Sequence, residues 1–168
     1  HRVVSFAPVI YGASLAFLLA VLVFGVSRGV ARRWLVLPVI GQIQPSEFVK
    51  ISFVFFVAAM FYQSTDRDTI IKTTVVAAVH VLVLVLSKDL GSALIFFVAY
   101  MTMLFVATSS YLWFGAGIAG GSVAAVAAYY LFPHVRRRVE AWADPWSDIA
   151  NKGYQVAQAL FAIGTGGW

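Results

Sequence analysis

The sequence predicts an all-α, multi-pass membrane protein with about five transmembrane helices, followed by an interfacial helical segment. Of its 168 residues, 61% are hydrophobic and only 11% are charged, whereas a soluble domain is nearer half apolar and a quarter charged. Apolar runs of about 20 residues, long enough to cross a bilayer, recur along the chain. The loops that separate most of these runs are short and polar.

The apolar runs divide the chain into a membrane part, 1–132, and a mixed polar and aromatic loop segment, 133–168. Pro45 suits the first turn of the second span, where a missing N–H costs nothing. The polar loop 63–68 supplies helix-capping residues before the third span. Glycine and alanine in the fifth span favour close packing of a neighbouring helix. The predicted spans are 6–26, 45–62, 69–86, 90–107 and 111–132.

The stretch 44–50, with the sequence Gln-Pro-Ser-Glu-Phe-Val-Lys, carries two opposite charges into the edge of the second span. Gln44 or Ser46 can cap this helix, and Glu47 and Lys50 lie three residues apart, on one face. Charged pairs in a membrane are costly and are usually kept for function. Two interpretations stay open: a functional pair, or an interfacial pair that anchors the helix end while Lys50 reaches outward.

Five spans would place the loops 27–47, 87–91 and 133–168 on one face of the membrane and 63–68 and 108–110 on the other. The first face holds most of the arginines and lysines, so the positive-inside rule would make it cytoplasmic. The formal charge of +5 suits anionic lipid or phosphate partners. Nucleic acid is not expected as a partner, because the chain has no soluble basic face.

The candidate binding residues gather on that first face. Arg32 and Arg33 could bind phosphate oxygens through their planar guanidinium groups, although arginine beside Trp34 is also typical of a membrane-interface belt. Asp89 begins the fourth span and fits a helix N-cap. The run 136–138, Arg-Arg-Arg, opens an amphipathic surface segment.

The remaining features are a further helix from 154, a flexible glycine-containing stretch at 163–167, and a lone histidine in the third span. We expect His80 to form a hydrogen bond to a neighbouring helix rather than to bind a ligand. The chain has no cysteine. It also shows no metal-ligand spacing, phosphate-binding loop or nucleophile elbow, so we predict neither a metal nor a cofactor.

Five motifs in order closely resemble the SEDS family, which comprises the RodA, FtsW and SpoVE proteins of bacterial shape, division and sporulation. The resemblance covers nearly the whole chain, and five motifs in the right order are far more specific than one. The motifs are Ala31-Arg32-Arg33-Trp34, the stretch 44–50, Asp89-Leu90-Gly91-Ser92-Ala93-Leu94, Arg136-Arg137-Arg138 with Asp144-Pro145, and Gly153-Tyr154-Gln155 before Ala162-Ile163-Gly164-Thr165-Gly166-Gly167.

The resemblance implies a ten-helix fold, of which this chain would form the third to seventh helices and most of the following extracellular loop. It implies a peptidoglycan glycosyltransferase in the bacterial cell membrane, serving elongation, division or sporulation. Such an enzyme polymerises lipid II, an undecaprenyl-diphosphate-linked substrate, together with a class B penicillin-binding protein. The family's working face is extracellular, so the resemblance reverses the side that the positive-inside rule predicts.

On this interpretation, cations would stabilise the departing diphosphate and acids would orient those cations. The family's catalytic aspartate is expected beyond Trp168, so the fragment would contain no catalytic residue and would be inactive alone. Asp144 and Asp148 lie upstream of that position and should not be mistaken for it. The candidate substrate-binding residues are Arg32, Arg33, Gln44, Glu47, Lys50, Asp89, Arg136 and Arg138.

Two departures from the family pattern stand out. Lys88 occupies a position where the family often has proline, and Gln42 stands where some members carry a basic residue. Two other functions stay open: a lipid II flippase or transporter, and a non-catalytic scaffold of the division or elongation machinery. For a scaffold, the span 111–132 would be the docking helix.

Overall fold

The computed structural model describes residues 9, 11–13, 15, 16, 19, 26–28, 31–37 and 41–166. In chain order, the elements are β1 (Val26–Arg28), β2 (Ala31–Leu37), β3 (Gly41–Ile43), α1 (Pro45–Gln63), α2 (Arg67–Leu86), α3 (Leu90–Thr108), α4 (Tyr111–Leu131), α5 (Pro133–Ala143) and α6 (Tyr154–Gly166). The described residues form two compact units, His1–Ala119 and Gly120–Trp168. The predicted division at 132/133 stays a prediction.

Helices dominate the described residues, which confirms the predicted helical membrane fold. Three of the described helices, α2, α3 and α4, are long and apolar enough to cross a membrane, with 20, 19 and 21 residues. Helix α1 has 19 residues and follows the second predicted span, and its crossing of a membrane stays a prediction. The first predicted span, 6–26, lies mostly outside the described residues, and the described positions between 9 and 19 are helical.

The core of the first unit lies between α1, α2 and α3. Helix α1 contributes a buried stripe that repeats every four residues, Val49, Phe53, Val57 and Phe61, because residues at i and i+4 share one helix face. The ring of Phe53 lies 5.0 Å from that of Phe96 on α3 and 5.3 Å from that of His80 on α2. The three helices therefore meet at an aromatic cluster.

Buried polar side chains tie these helices together. The Tyr11 hydroxyl and His80 Nδ1 lie 2.6 Å apart in a hydrogen bond, so the prediction that His80 bonds to a neighbouring helical segment is confirmed. Between α2 and α3, the Tyr100 hydroxyl lies 2.7 Å from Thr74 Oγ1 and 3.2 Å from Thr73 Oγ1. Each group satisfies its hydrogen-bonding capacity within the helix bundle, as burial requires.

The turn between α2 and α3 ends one helix and begins the next with the same residue. The N–H of Lys88 donates to Val85 O at 3.0 Å, and the N–H of Asp89 donates to Leu84 O at 2.9 Å, which is a Schellman motif. Lys88 has φ 60°, a left-handed conformation that proline cannot adopt because its ring fixes φ near −65°. Lysine in place of the family's proline therefore fits the turn that this chain forms.

The loop before α1 was predicted without regular structure, and there the structure differs from the prediction. It contains a three-stranded antiparallel sheet in the order β1-β2-β3. Ser27 pairs with Arg32, and Val36 pairs with Gln42. The strands have three, seven and three residues, and the adjacent arginines 32 and 33 break the alternation of polar and apolar residues that usually signals a strand.

Helix α4 begins in the first unit and is exposed along its length, with none of its residues buried among the described ones. Near its start, a Cβ added at Gly117 would lie 2.6 Å from Sδ of Met101 on α3. This close approach agrees with the prediction that a neighbouring helix packs against glycine in the fifth span.

The second unit contains the end of α4, followed by α5 and α6. Pro133 occupies the first turn of α5, and α6 continues through Gly166. The prediction of flexible backbone at 163–167 is therefore wrong for its described positions, 163–166. The Thr165 hydroxyl donates to Phe161 O at 2.7 Å, one turn earlier, and so remains within the helical pattern.

Candidate functional site

Glu47 and Lys50 form the ion pair that their spacing predicts. Lys50 Nζ lies 2.7 Å from Glu47 Oε1 in the first turns of α1, and the two side chains are 26% and 56% exposed. Negative charge in the first turn of a helix interacts favourably with the helix dipole. The pair is therefore partly covered, with its amine one turn deeper along α1 than its acid.

The other predicted residues around α1 are described less completely. Gln44 is the N-cap residue of α1 in extended conformation, and its carbonyl accepts from the N–H of Glu47 at 3.2 Å. Arg32 and Arg33 lie in β2, and α1 contacts this strand. The side chains of both arginines lie outside the described part of the chain, so their predicted role in substrate binding stays a prediction.

Asp89 is buried and caps α3. Its carboxylate accepts from the N–H of Ser92 at 3.3 Å and from the Ser92 hydroxyl at 2.9 Å, and the residue is only 5% exposed. This is the N-cap arrangement that the sequence analysis set beside a binding role. The capping role of Asp89 is confirmed, whereas its substrate-binding role stays a prediction.

The three consecutive arginines lie exposed on α5, two to five residues after α4 ends, and two of them have different kinds of partner. Arg136 Nε donates to Glu140 Oε1 at 2.8 Å, one turn along the same helix. Arg138 Nη1 donates to Gln155 Oε1 at 2.8 Å, on α6. The Glu140 carboxylate, hydrogen-bonded to Arg136, raises the pKa of that guanidinium above its usual value.

The turn between α5 and α6 is held closed by its own polar groups. Asp144 Oδ1 accepts from the N–H of Trp146 at 3.2 Å. Asp148 Oδ1 accepts from Asn151 Nδ2 at 3.0 Å, and its carbonyl accepts from the N–H of Gly153 at 2.9 Å. Both carboxylates serve the turn, in keeping with the expectation that neither is the catalytic base.

A close backbone approach explains why two of the motifs occur together. A Cβ added at Gly153 would collide with the carbonyl of Pro145, so a larger residue at 153 would push the two segments apart. The Asp-Pro and Gly-Tyr-Gln motifs are therefore two sides of one turn. Trp146 and Phe161 close the turn with ring centroids 5.7 Å apart.

The structure brings some predicted residues together and leaves others separate. Glu47 and Lys50 are paired in the first unit, whereas Arg136 and Arg138 lie in the second unit and point to different acceptors. Sequence reasoning did not identify Gln155 as the partner of Arg138. Its signal was the Gly-Tyr-Gln motif, which was quoted for the family resemblance but given no role.

Comparison with known proteins assigns the family. The model of the FtsW, RodA and SpoVE family, described as cell cycle protein, matches residues 2–168. The peptidoglycan glycosyltransferase RodA of Mycobacterium bovis is 33% identical over 153 residues, with 82% of this chain and 32% of that protein covered. The probable peptidoglycan glycosyltransferase FtsW of Aliivibrio salmonicida is 35% identical over 160 residues, with 92% of this chain and 40% of that protein covered.

A solved structure shares the fold as well. It is described as the structural coordination of polymerization and crosslinking by a peptidoglycan synthase complex, and it matches with a TM-score of 0.69 and 32% identity over 99% of this chain. The chain spans 50% of that structure's chain and less than half of the two curated relatives. The present chain therefore belongs to the FtsW/RodA/SpoVE family of multi-pass membrane proteins.

Proposed function

We propose that the protein containing this chain is a peptidoglycan glycosyltransferase that polymerises lipid II in the bacterial cell membrane. The observation that carries this proposal is the exposed arginine run on α5, which begins directly after the apolar helix α4. Cationic side chains at a membrane edge suit a substrate whose diphosphate is joined to a lipid. The names of the relatives, peptidoglycan glycosyltransferases, favour the same chemistry.

The proposed reaction needs two kinds of group. A base takes the proton of the acceptor hydroxyl as it attacks the sugar carbon, and positive charge stabilises the diphosphate that leaves with the electrons of the broken C–O bond. The described residues supply candidates for the second task, Lys50, Arg136 and Arg138, with Glu47 orienting Lys50. Asp144 and Asp148 are engaged in the turn, so the proposal assigns neither of them as the base.

We also propose that the protein works with a class B penicillin-binding protein. The support is the matching solved structure, which concerns a complex that couples polymerization and crosslinking. Because this chain spans only part of its relatives, the partner would contact the full-length protein, and no docking surface is assigned here.

The test is polymerisation by the purified full-length protein and its partner in lipid vesicles containing fluorescent lipid II. We expect glycan ladders on a gel, strongly reduced by Arg138→Gln and little changed by Arg137→Gln. Movement of lipid II across the vesicles without any glycan product would instead support a transporter. Absence of both activities would support a scaffold.

A further inference from the structure

The side chains of Arg138 and Gln155 form a bridge between α5 and α6. Arg138 Nη1 donates to Gln155 Oε1 at 2.8 Å across 17 residues of sequence. Both residues are exposed, so the bridge lies at the surface of the second unit rather than in its core. A guanidinium group has five N–H donors, and this bond uses one of them.

The chemistry of the partner distinguishes Arg138 from Arg136. Arg136 is bonded to the carboxylate of Glu140, which cancels most of its charge toward a nearby anion. Gln155 is a neutral acceptor, so it fixes the direction of Arg138 while leaving its full positive charge. Among the residues that the structure describes, no carboxylate lies within ion-pairing distance of Arg138.

The position of Gln155 is itself well held. It lies in the first turn of α6, two residues after Gly153, whose close approach to Pro145 fixes how the turn enters that helix. Ala157, on the next turn, is fully buried. A side chain anchored on such a support orients its partner at a small entropic cost.

From this geometry we propose that Gln155 is a positioning residue that holds Arg138, charged and directed, for a phosphate group of the lipid-linked diphosphate substrate. The inference rests on the proposed function and adds to it the residue that orients the anion-binding guanidinium. The same phosphate chemistry could come from an anionic lipid headgroup, and the experiment separates these two sources.

The test compares Gln155→Glu with Gln158→Glu in the full-length protein with its partner. Both variants add one negative charge to an exposed position of α6, but only position 155 contacts Arg138. Glutamate at 155 keeps the acceptor and would neutralise Arg138. We expect the KM for lipid II to rise about tenfold, the scale of one charge-assisted contact, while Gln158→Glu leaves KM unchanged.

The readout separates positioning from a structural tie. A purely structural tie would be kept or strengthened by glutamate, which leaves KM unchanged, and a folding defect would lower the rate at saturating lipid II without moving KM. If Gln155→Glu proves unstable, Gln155→Asn provides a second reading, because its amide is one methylene too short to reach Arg138. An unchanged KM in the stable variants would overturn the inference.

Vesicle composition identifies the source of the phosphate. The KM effect should be equal in vesicles of phosphatidylcholine alone and in vesicles that also contain phosphatidylglycerol. An effect confined to the anionic vesicles would assign Arg138 to headgroup binding and overturn the substrate role. If the unaltered protein makes no glycan in either vesicle, the proposed function fails before the role of Gln155 is reached.

Discussion

At the scale of single residues, two lysines of similar appearance have different surroundings. Lys50 and Lys72 each pair with a carboxylate on their own helix, but the Lys50 side chain is 26% exposed and that of Lys72 is 63% exposed. An exposed pair contributes little to stability because water screens it. Lys72 therefore serves as a matched control for the functional interpretation of Lys50.

We expect Lys50→Ala in the full-length protein to abolish growth support while the protein still accumulates in the membrane. The change removes the proposed cation and leaves Glu47 without its partner at the membrane edge, where an unpaired charge is costly. Complementation of a depleted strain, with immunoblots of the membrane fraction, measures both effects. Lys72→Ala should complement normally. Growth with a stably expressed Lys50→Ala protein would leave the pair with an anchoring role only.

The residue-level predictions succeeded where the interaction is local. The Glu47–Lys50 pair and the Asp89 cap follow from spacings of three residues, which helix geometry converts directly into contacts. The bond between Arg138 and Gln155 depends on how a ten-residue turn, 144–153, brings two helices together. No local spacing contains that information, so sequence reasoning could not assign the partner of Arg138.

At the scale of elements, the long apolar runs were predicted well and the short strands were not. Helices α2, α3 and α4 follow from hydropathy and length, because a membrane leaves helices as one of few ways to satisfy the backbone. The sheet formed by β1, β2 and β3 depends on pairing between short segments. Pairing of this kind leaves little trace in composition, and the basic residues of β2 resemble those of a loop.

The turn between α5 and α6 allows a paired glycine experiment. Gly153→Ala should destabilise the turn by about 1–3 kcal/mol, the usual cost of overpacking, because the new methyl group meets the carbonyl of Pro145. Gly164→Ala meets nothing within 4 Å on α6 and should stabilise that helix by roughly 0.5–1 kcal/mol.

Hydrogen exchange of the full-length protein in detergent measures this difference at the turn itself. The amides of Gly153 and Ala157, which bond to Asp148 O and Gly153 O, should exchange faster in Gly153→Ala. They should be unaffected by Gly164→Ala. Equal exchange in all three proteins would show that the turn can shift to admit a side chain.

At the scale of the whole molecule, the contacts of the first unit fix the relative directions of its helices. Thr74 and His80 on α2 meet Tyr100 and Phe96 on α3, so these two helices run antiparallel. Phe53 and Phe61 on α1 meet Phe96 and Tyr100, so α1 and α3 run parallel. The turns before and after α2 therefore lie at opposite ends of the bundle.

The last prediction concerns which side of the membrane each loop occupies. Three candidate spans, α2, α3 and α4, separate Thr65 from Lys152, and an odd number of crossings puts these two exposed positions on opposite sides. With single cysteines introduced at 65 and 152 in a cysteine-free full-length protein, a membrane-impermeant thiol reagent should label only position 152 in intact cells. Both positions should react after permeabilisation.

The labelling pattern separates three arrangements. Labelling of 152 alone would place the arginines of α5 outside the cell, where a lipid-linked glycan precursor is polymerised under the proposed function. Labelling of 65 alone would reverse the topology and restore the side that the positive-inside rule predicts, moving the arginines to the cytoplasm. Labelling of both positions, or of neither, would mean that an even number of the three helices crosses the membrane. Helix α4 would then be the one to re-examine, because none of its described residues is buried against the rest of the chain.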